Sequence, residues 1–323
     1  MRNKIVPISL CCTAIAVLSY LTLFLGELGL DWAAVRQLGV GQIDPTTQLV
    51  LTRLRGPRLL TAILAGALFG ISGLLFQHAT RNPLGSPDVI GINAGAKAGM
   101  ALCATFPFIP DSLAAAAGAF TATLVVFIAT GKGFTSATRT IIAGIAVGAL
   151  AHGITQYVLT AKLRLGAHQV AAALSGSLNA SSWRDVTIAA SALIVVIAAA
   201  VLVSKNLLLL ELGDDVAGGL GGAPTATRTW AVVISAIAAA AAVSAAGPIS
   251  FVALSAPHIA RLWGKGLPLM LSAAIGSIIT MAADLTVQQV NVVKGLPTGI
   301  ITLGVGGLYL AYVLFSQQRK MKL

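Results

Sequence analysis

Six residues have the chemistry to act on a partner: Lys97 and Asp284 inside apolar runs, Arg55 and Arg58 three positions apart, and the adjacent Asp214 and Asp215. An ionisable group within a membrane-length run marks an ion path, a buried pair or a side chain snorkelling to the interface. Lys97 and Asp284 could pair, or Lys97 could face a water-filled path and attract an anion. A snorkelling Lys97 and an interfacial Asp284 are the plain alternatives. Asn93 and Lys97 are the candidates for lining such a path. The two aspartates belong to a polar module running from Glu211 to Gly221 between two apolar runs. Gly213 ends the preceding helical run and Asp214 suits an N-cap, with Asp215 in the first turn. Gly221-Gly222-Ala223-Pro224 stops the short helix about two turns on. A capped helix of this kind makes a rigid docking knob; a solvated loop is the alternative.

Covalent chemistry lacks players. No G-x-x-x-x-G-K-[ST] loop is present, since Lys132 is followed by Gly133 and Lys265 by Gly266, so no segment would cradle ATP phosphates. His78, His152, His168 and His258 have no H-E-x-x-H or paired spacing, and no serine sits in a G-x-S-x-G turn. Cys11, Cys12 and Cys103 sit in apolar runs without disulfide or metal spacing. No catalytic residue, cofactor or metal ligand is therefore expected.

The elements that must hold these groups are membrane spans. Of the chain, 57% is hydrophobic and only 10% charged, with 34 glycines; at a mean hydropathy of +0.90 this is more apolar surface than a soluble core could hide. The net charge of +11 comes without a basic patch interleaved with aromatics, so nucleic acid is not the expected partner. Apolar runs near 5–25, 59–76, 89–106, 113–129, 141–159, 186–203, 229–246, 249–263, 267–285 and 298–315 predict ten crossings. The first is too long for a signal-peptide core. The eighth is short and interrupted by Pro248 and Pro257, which predicts a tilted, broken or re-entrant segment.

An even number of spans puts both termini on one side. Arg2, Lys4, Arg319, Lys320 and Lys322 mark that side as cytoplasmic. The remaining basic residues then divide in the expected direction, except that Arg53, Arg55 and Arg58 cluster outside and ask for a local reason. Gly66-x-x-x-Gly70, Gly91-x-x-x-Gly95-x-x-x-Gly99 and Gly144-x-x-x-Gly148 let helices approach closely and predict a packed bundle.

Five ordered motifs carry a resemblance. They are Arg55-Gly56-Pro57-Arg58-Leu59-Leu60; Arg81-Asn82-Pro83-Leu84-Gly85-Ser86-Pro87-Asp88 with Gly91-Ile92-Asn93-Ala94-Gly95; Gly213-Asp214-Asp215 with Leu220-Gly221; Gly247-Pro248-Ile249-Ser250-Phe251 with Ala256-Pro257-His258-Ile259-Ala260-Arg261; and Leu296-Pro297-Thr298-Gly299-Ile300. Over nearly its whole length the chain resembles the FecCD-like permeases of ATP-driven importers for iron–siderophore complexes, haem and vitamin B12. Within that family it looks most like the ferric enterobactin permeases.

The resemblance implies an all-α polytopic membrane protein of about ten transmembrane helices, with residues 1–323 forming one permease domain and a cytosolic coupling segment near 204–228. It implies no enzymatic activity in this chain. The partners it implies are cytosolic ATP-binding subunits, a second permease subunit forming a heterodimeric pore, a periplasmic siderophore-binding protein and the bilayer of the bacterial inner membrane. The cargo implied is an iron–siderophore complex, ferric enterobactin or a similar catecholate, with haem or vitamin B12 as the alternative; an ion-coupled secondary transporter is the rival class. By the same resemblance Arg55 and Arg58 face outward to dock the binding protein, which would explain the outer basic cluster. Glu211, Gly213, Asp214, Asp215, Leu220 and Gly221 engage the ATPase. Three departures stand out: Gly56 replaces the usual Leu, Gly295 stands where an acidic residue often precedes Leu-Pro, with Lys294 as a substitute docking cation, and Lys97 occupies a position usually small or apolar.

Overall fold

The computed structural model describes residues 5–25, 44–104, 108–131, 134, 137–161, 174–263 and 266–321. Arg2, Lys4, Lys322 and His168 lie outside them. The described residues form helices and no strands: α1 (Ile5–Phe24), α2 (Pro45–Leu49), α3 (Gly56–Thr80), α4 (Ile92–Cys103), α5 (Asp111–Ala129), α6 (Ala137–Ala161), α7 (Trp183–Leu210), α8 (Asp214–Gly219), α9 (Pro224–Ala246), α10 (Val252–Trp263), α11 (Leu269–Gln289) and α12 (Thr298–Met321). Apart from the short α2 and α8, each coincides with one expected apolar run. Among the described residues, seven helices are long and apolar enough to cross a membrane. α10 is short and carries Pro257 inside it, as its prolines require. α4 is as short, 12 residues or about 18 Å, which its hydropathy did not foretell.

The core is built around α3. In its apolar stretch 83% is buried, against 11% in α1 and 22% in α6 and α7, so α3 is the axis and the other three expose side chains outward. Without a hydrophobic drive between helices in lipid, close backbone contact and hydrogen bonds hold such a bundle. A Cβ on Gly66 would sit 2.5 Å from the Gly276 carbonyl oxygen of α11, and one on Gly73 would strike the Ala253 carbonyl of α10. Hydroxyls stitch the same contacts. Ser72 Oγ donates to the Ser235 carbonyl at 2.6 Å and Ser235 Oγ returns the bond to Ser72 at 2.8 Å, joining α3 to α9. Ser272 Oγ donates to the Gly70 carbonyl at 2.8 Å from α11.

Two irregular joints shape the bundle. Before α3 the chain makes a π-helical turn, Val50–Arg55, and a Cβ on Gly56 would lie 2.1 Å from the Leu51 carbonyl oxygen. Only glycine fits there, which explains why leucine is absent between the two arginines. Between α9 and α10 the backbone leaves the helix, and Phe251 takes a left-handed φ of 69°, its ring seated where a Cβ on Gly306 of α12 would go.

Candidate functional site

At one end of the bundle, α3 finishes in a fixed turn. Arg81 caps it with a left-handed φ of 50° and its N–H on the His78 carbonyl. Asn82 N–H reaches the Gln77 carbonyl at 3.0 Å, and Asn82 Oδ1 accepts from Leu84 N–H at 3.0 Å. This geometry aims Arg81 at Asp214, the first residue of α8, with which it forms an ion pair. Arg228, in the first turn of α9 and only 6% exposed, donates from Nη2 to Asp214 Oδ1 at 2.8 Å and Oδ2 at 3.0 Å, and from Nε to the Ala79 carbonyl at 3.1 Å. Nearby, Glu211 Oε1 lies 3.0 Å from Nε2 of the buried His78.

The expected short helix is present, with its roles shifted by one residue. Gly213 is the N-cap, at φ 104°, and the Asp214 carboxylate holds two arginines instead of capping. Gly222 N–H closes the helix on the Ala217 carbonyl at 2.8 Å. Ala217 is buried, whereas Leu212, Val216 and Leu220, four apart, are all exposed. They form an apolar ridge beside the exposed Asp215. Arg81, Arg228 and His78 are the functional candidates that sequence reading missed; Arg81-Asn82-Pro83-Leu84 was visible as a motif, but its partner is 133 positions away.

At the opposite end, the structure corrects the expectation for the arginine pair. Arg55 is buried and its Nη1 donates to the carbonyls of Thr22, at 2.5 Å, and Leu23, at 3.0 Å, on α1. Arg58 grips Asp284 of α11 through Nε at 2.9 Å and Nη2 at 2.8 Å. Both guanidiniums expected to face outward and dock a binding protein are thus engaged inside the chain, because α1 ends on open carbonyls and α11 presents a carboxylate with 3% of its side chain exposed. Gln288 and Thr298 complete the Asp284 shell at 2.7 and 3.1 Å. Arg53 and Lys294 are exposed at this end.

Lys97 does not pair with Asp284, whose oxygens are taken as described. Its electrostatic neighbour is Asp88, in the 3-10 turn Pro87–Ile90 before α4. Burial pushes the Asp88 carboxyl up to about 6, while Lys97 and the Ser86 hydroxyl pull it back down. Asn93, one turn before Lys97 on the same face, is buried with neither amide atom hydrogen-bonded among the described residues. Asn93, Lys97 and Asp88 therefore form one polar patch in an apolar wall.

A model of the FecCD transport family matches residues 14–316. The chain belongs to the FecCD transport family. FepG, a ferric enterobactin transport system permease protein of Escherichia coli, is 35% identical to it over 99% of this chain and 98% of its own length. YfmE, an Fe(3+)-citrate import system permease protein of Bacillus subtilis, is 32% identical over 99% of this chain and 97% of its own. A metal-chelate type ABC transporter solved in an inward-facing conformation shares the fold, with a TM-score of 0.85 at 23% identity, covering 97% of this chain and 100% of that one. The all-helical, multi-pass membrane architecture expected of a FecCD protein is the one observed.

Proposed function

We propose that this chain is the membrane subunit of an ATP-driven importer that moves an iron–siderophore complex into a bacterial cell. FecCD membership and the similarity to permeases named for ferric enterobactin and ferric citrate support this cargo class; the ferric enterobactin-like relative favours a catecholate. Residues 1–323 act as one permease domain, and ATP is hydrolysed by partner subunits. The observation that carries the reading is the Asp214 end, where an exposed apolar ridge rides on a helix braced from behind by two arginines. A surface of this kind suits insertion into a cleft on a cytosolic ATPase, and the proposal accordingly has this end and both termini face the cytoplasm. The polar patch of Asn93, Lys97 and Asp88 is the proposed contact for an anionic ferric catecholate.

The opposite end then faces the periplasmic binding protein. Exposed Arg53 and Lys294 supply positive charge for its acidic residues. A second permease subunit, in a heterodimer, covers the open faces of α6 and α12, where a Cβ on Gly153, Gly304 or Gly307 would meet no atom of the described residues within 4 Å.

Reconstitution tests this directly. Vesicles holding the complete complex take up ferric enterobactin only with ATP inside, and a protonophore leaves the rate unchanged. Uptake by vesicles containing this chain alone, or collapse with a protonophore at constant ATP, would overturn the reading in favour of ion-coupled transport.

A further inference from the structure

The covalent route through α8 is soft at both ends. Before it, Gly213 sits at φ 104°, and after it Gly221 sits at φ 80°; a Cβ at either position would meet nothing within 4 Å. Such open glycine joints yield to bending, so a push on α8 would be absorbed there before it reached α7 or α9 along the chain. The ion pairs bypass both joints. Asp214 is tied to Arg81 at the end of α3 and to Arg228 at the start of α9. Arg228 is itself bonded to the Ala79 carbonyl of α3, and the closed turn fixes the backbone from which the Arg81 side chain reaches Asp214.

The structure assigns to Arg81 and Arg228 the role of positioning residues: with Asp214 they form an ionic clamp that carries the displacement of α8 past its glycine joints into α3 and α9, the two helices stitched together by Ser72 and Ser235. This assignment rests on the ATPase-docking reading above. It adds the element that receives the stroke, α3 at the core of the bundle rather than α7 next to it in sequence. It also accounts for the fixed turn at Arg81-Asn82-Pro83-Leu84, which the docking reading leaves unused.

The test compares ATP hydrolysis with ferric enterobactin uptake in the whole complex for Asp214→Asn, Arg228→Met and Arg81→Gln. The clamp predicts that Arg228→Met and Arg81→Gln still co-purify with the ATP-binding subunits and hydrolyse ATP, while uptake per ATP falls about tenfold in all three variants; Asp214→Glu restores part of it. Arg81 is exposed enough that Arg81→Gln folds even where loss of the buried Arg228 does not. Unchanged uptake per ATP would overturn the clamp, as would a loss of hydrolysis in step with uptake. Amide exchange on the permease without its ATPase reads the clamp independently: residues 214–220 exchange about tenfold faster in Asp214→Asn, and equal rates would also overturn it. Failure of the wild-type chain to bind the ATP-binding subunits would sink the docking reading instead, and leaves the exchange measurement to judge the clamp.

Discussion

Asp284 holds a buried charge that Arg58 neutralises with two parallel hydrogen bonds, and Gln288 and Thr298 use its remaining lone pairs. Removing one member strands the other, which costs roughly 3 to 5 kcal/mol for a buried pair. Asp284→Ala should therefore lower the unfolding midpoint of the purified protein well below that of the double variant Asp284→Leu with Arg58→Met, as thermal denaturation will show. Asp88 gives a pH signature. Its carboxyl sits at about 6 against an ordinary 3.8, so the fold favours its protonated form. The stability it contributes is complete below about pH 4 and is lost as pH rises through 6. Melting temperature measured from pH 4 to 7 should carry this fall, and Asp88→Asn should remove it. Both carboxylates stood out in the sequence or its motifs. Their partners did not, because a charge says that it needs a counter-charge and never which one.

Helices in this protein are specified at two levels. Apolar runs and proline positions were enough to place ten helices and to expect the short α10. What they lacked was the closeness of approach: Gly66 and Gly70 announced a contact, but the partner residues Gly276 and Ser272 became visible only when α11 was laid across α3. Gly276→Val would drive its side chain into the Gly66 carbonyl, 2.1 Å from the position of its Cβ. Overpacking typically costs about 1 to 3 kcal/mol, and a rigid backbone neighbour cannot yield as a side chain would. The expected result is loss of the folded protein from the membrane fraction, while Gly307→Ala on the open face of α12 retains it. The π-helical turn at Val50–Arg55 illustrates the opposite case, since Gly56 looked like an oddity until the Leu51 carbonyl was found against it.

For the molecule as a whole, the proposed function assigns the two polar ends different partners, an ATPase at the Asp214 end and a binding protein at the other. Salt should separate the two ends. On the proposed function, docking of the binding protein at Arg53 and Lys294 should weaken as ionic strength rises from about 50 to 500 mM, because exposed pairs are screened over a Debye length of about 10 Å or less; association of the ATP-binding subunits with the apolar ridge Leu212, Val216 and Leu220 should hold. Binding measured by pull-down at both salt concentrations checks this. The sequence by itself determined that the chain lives in a bilayer, where ten apolar helices of the described residues lie and that it carries no phosphate-binding loop, because each of these is written in local runs of residue type. Only the tertiary structure decided that Arg55 and Arg58 turn inward, that Lys97 answers to Asp88 and that Asp214 is clamped by Arg81 and Arg228. Those pairings join different elements, and each charge takes whichever partner the packing of the helices brings within reach.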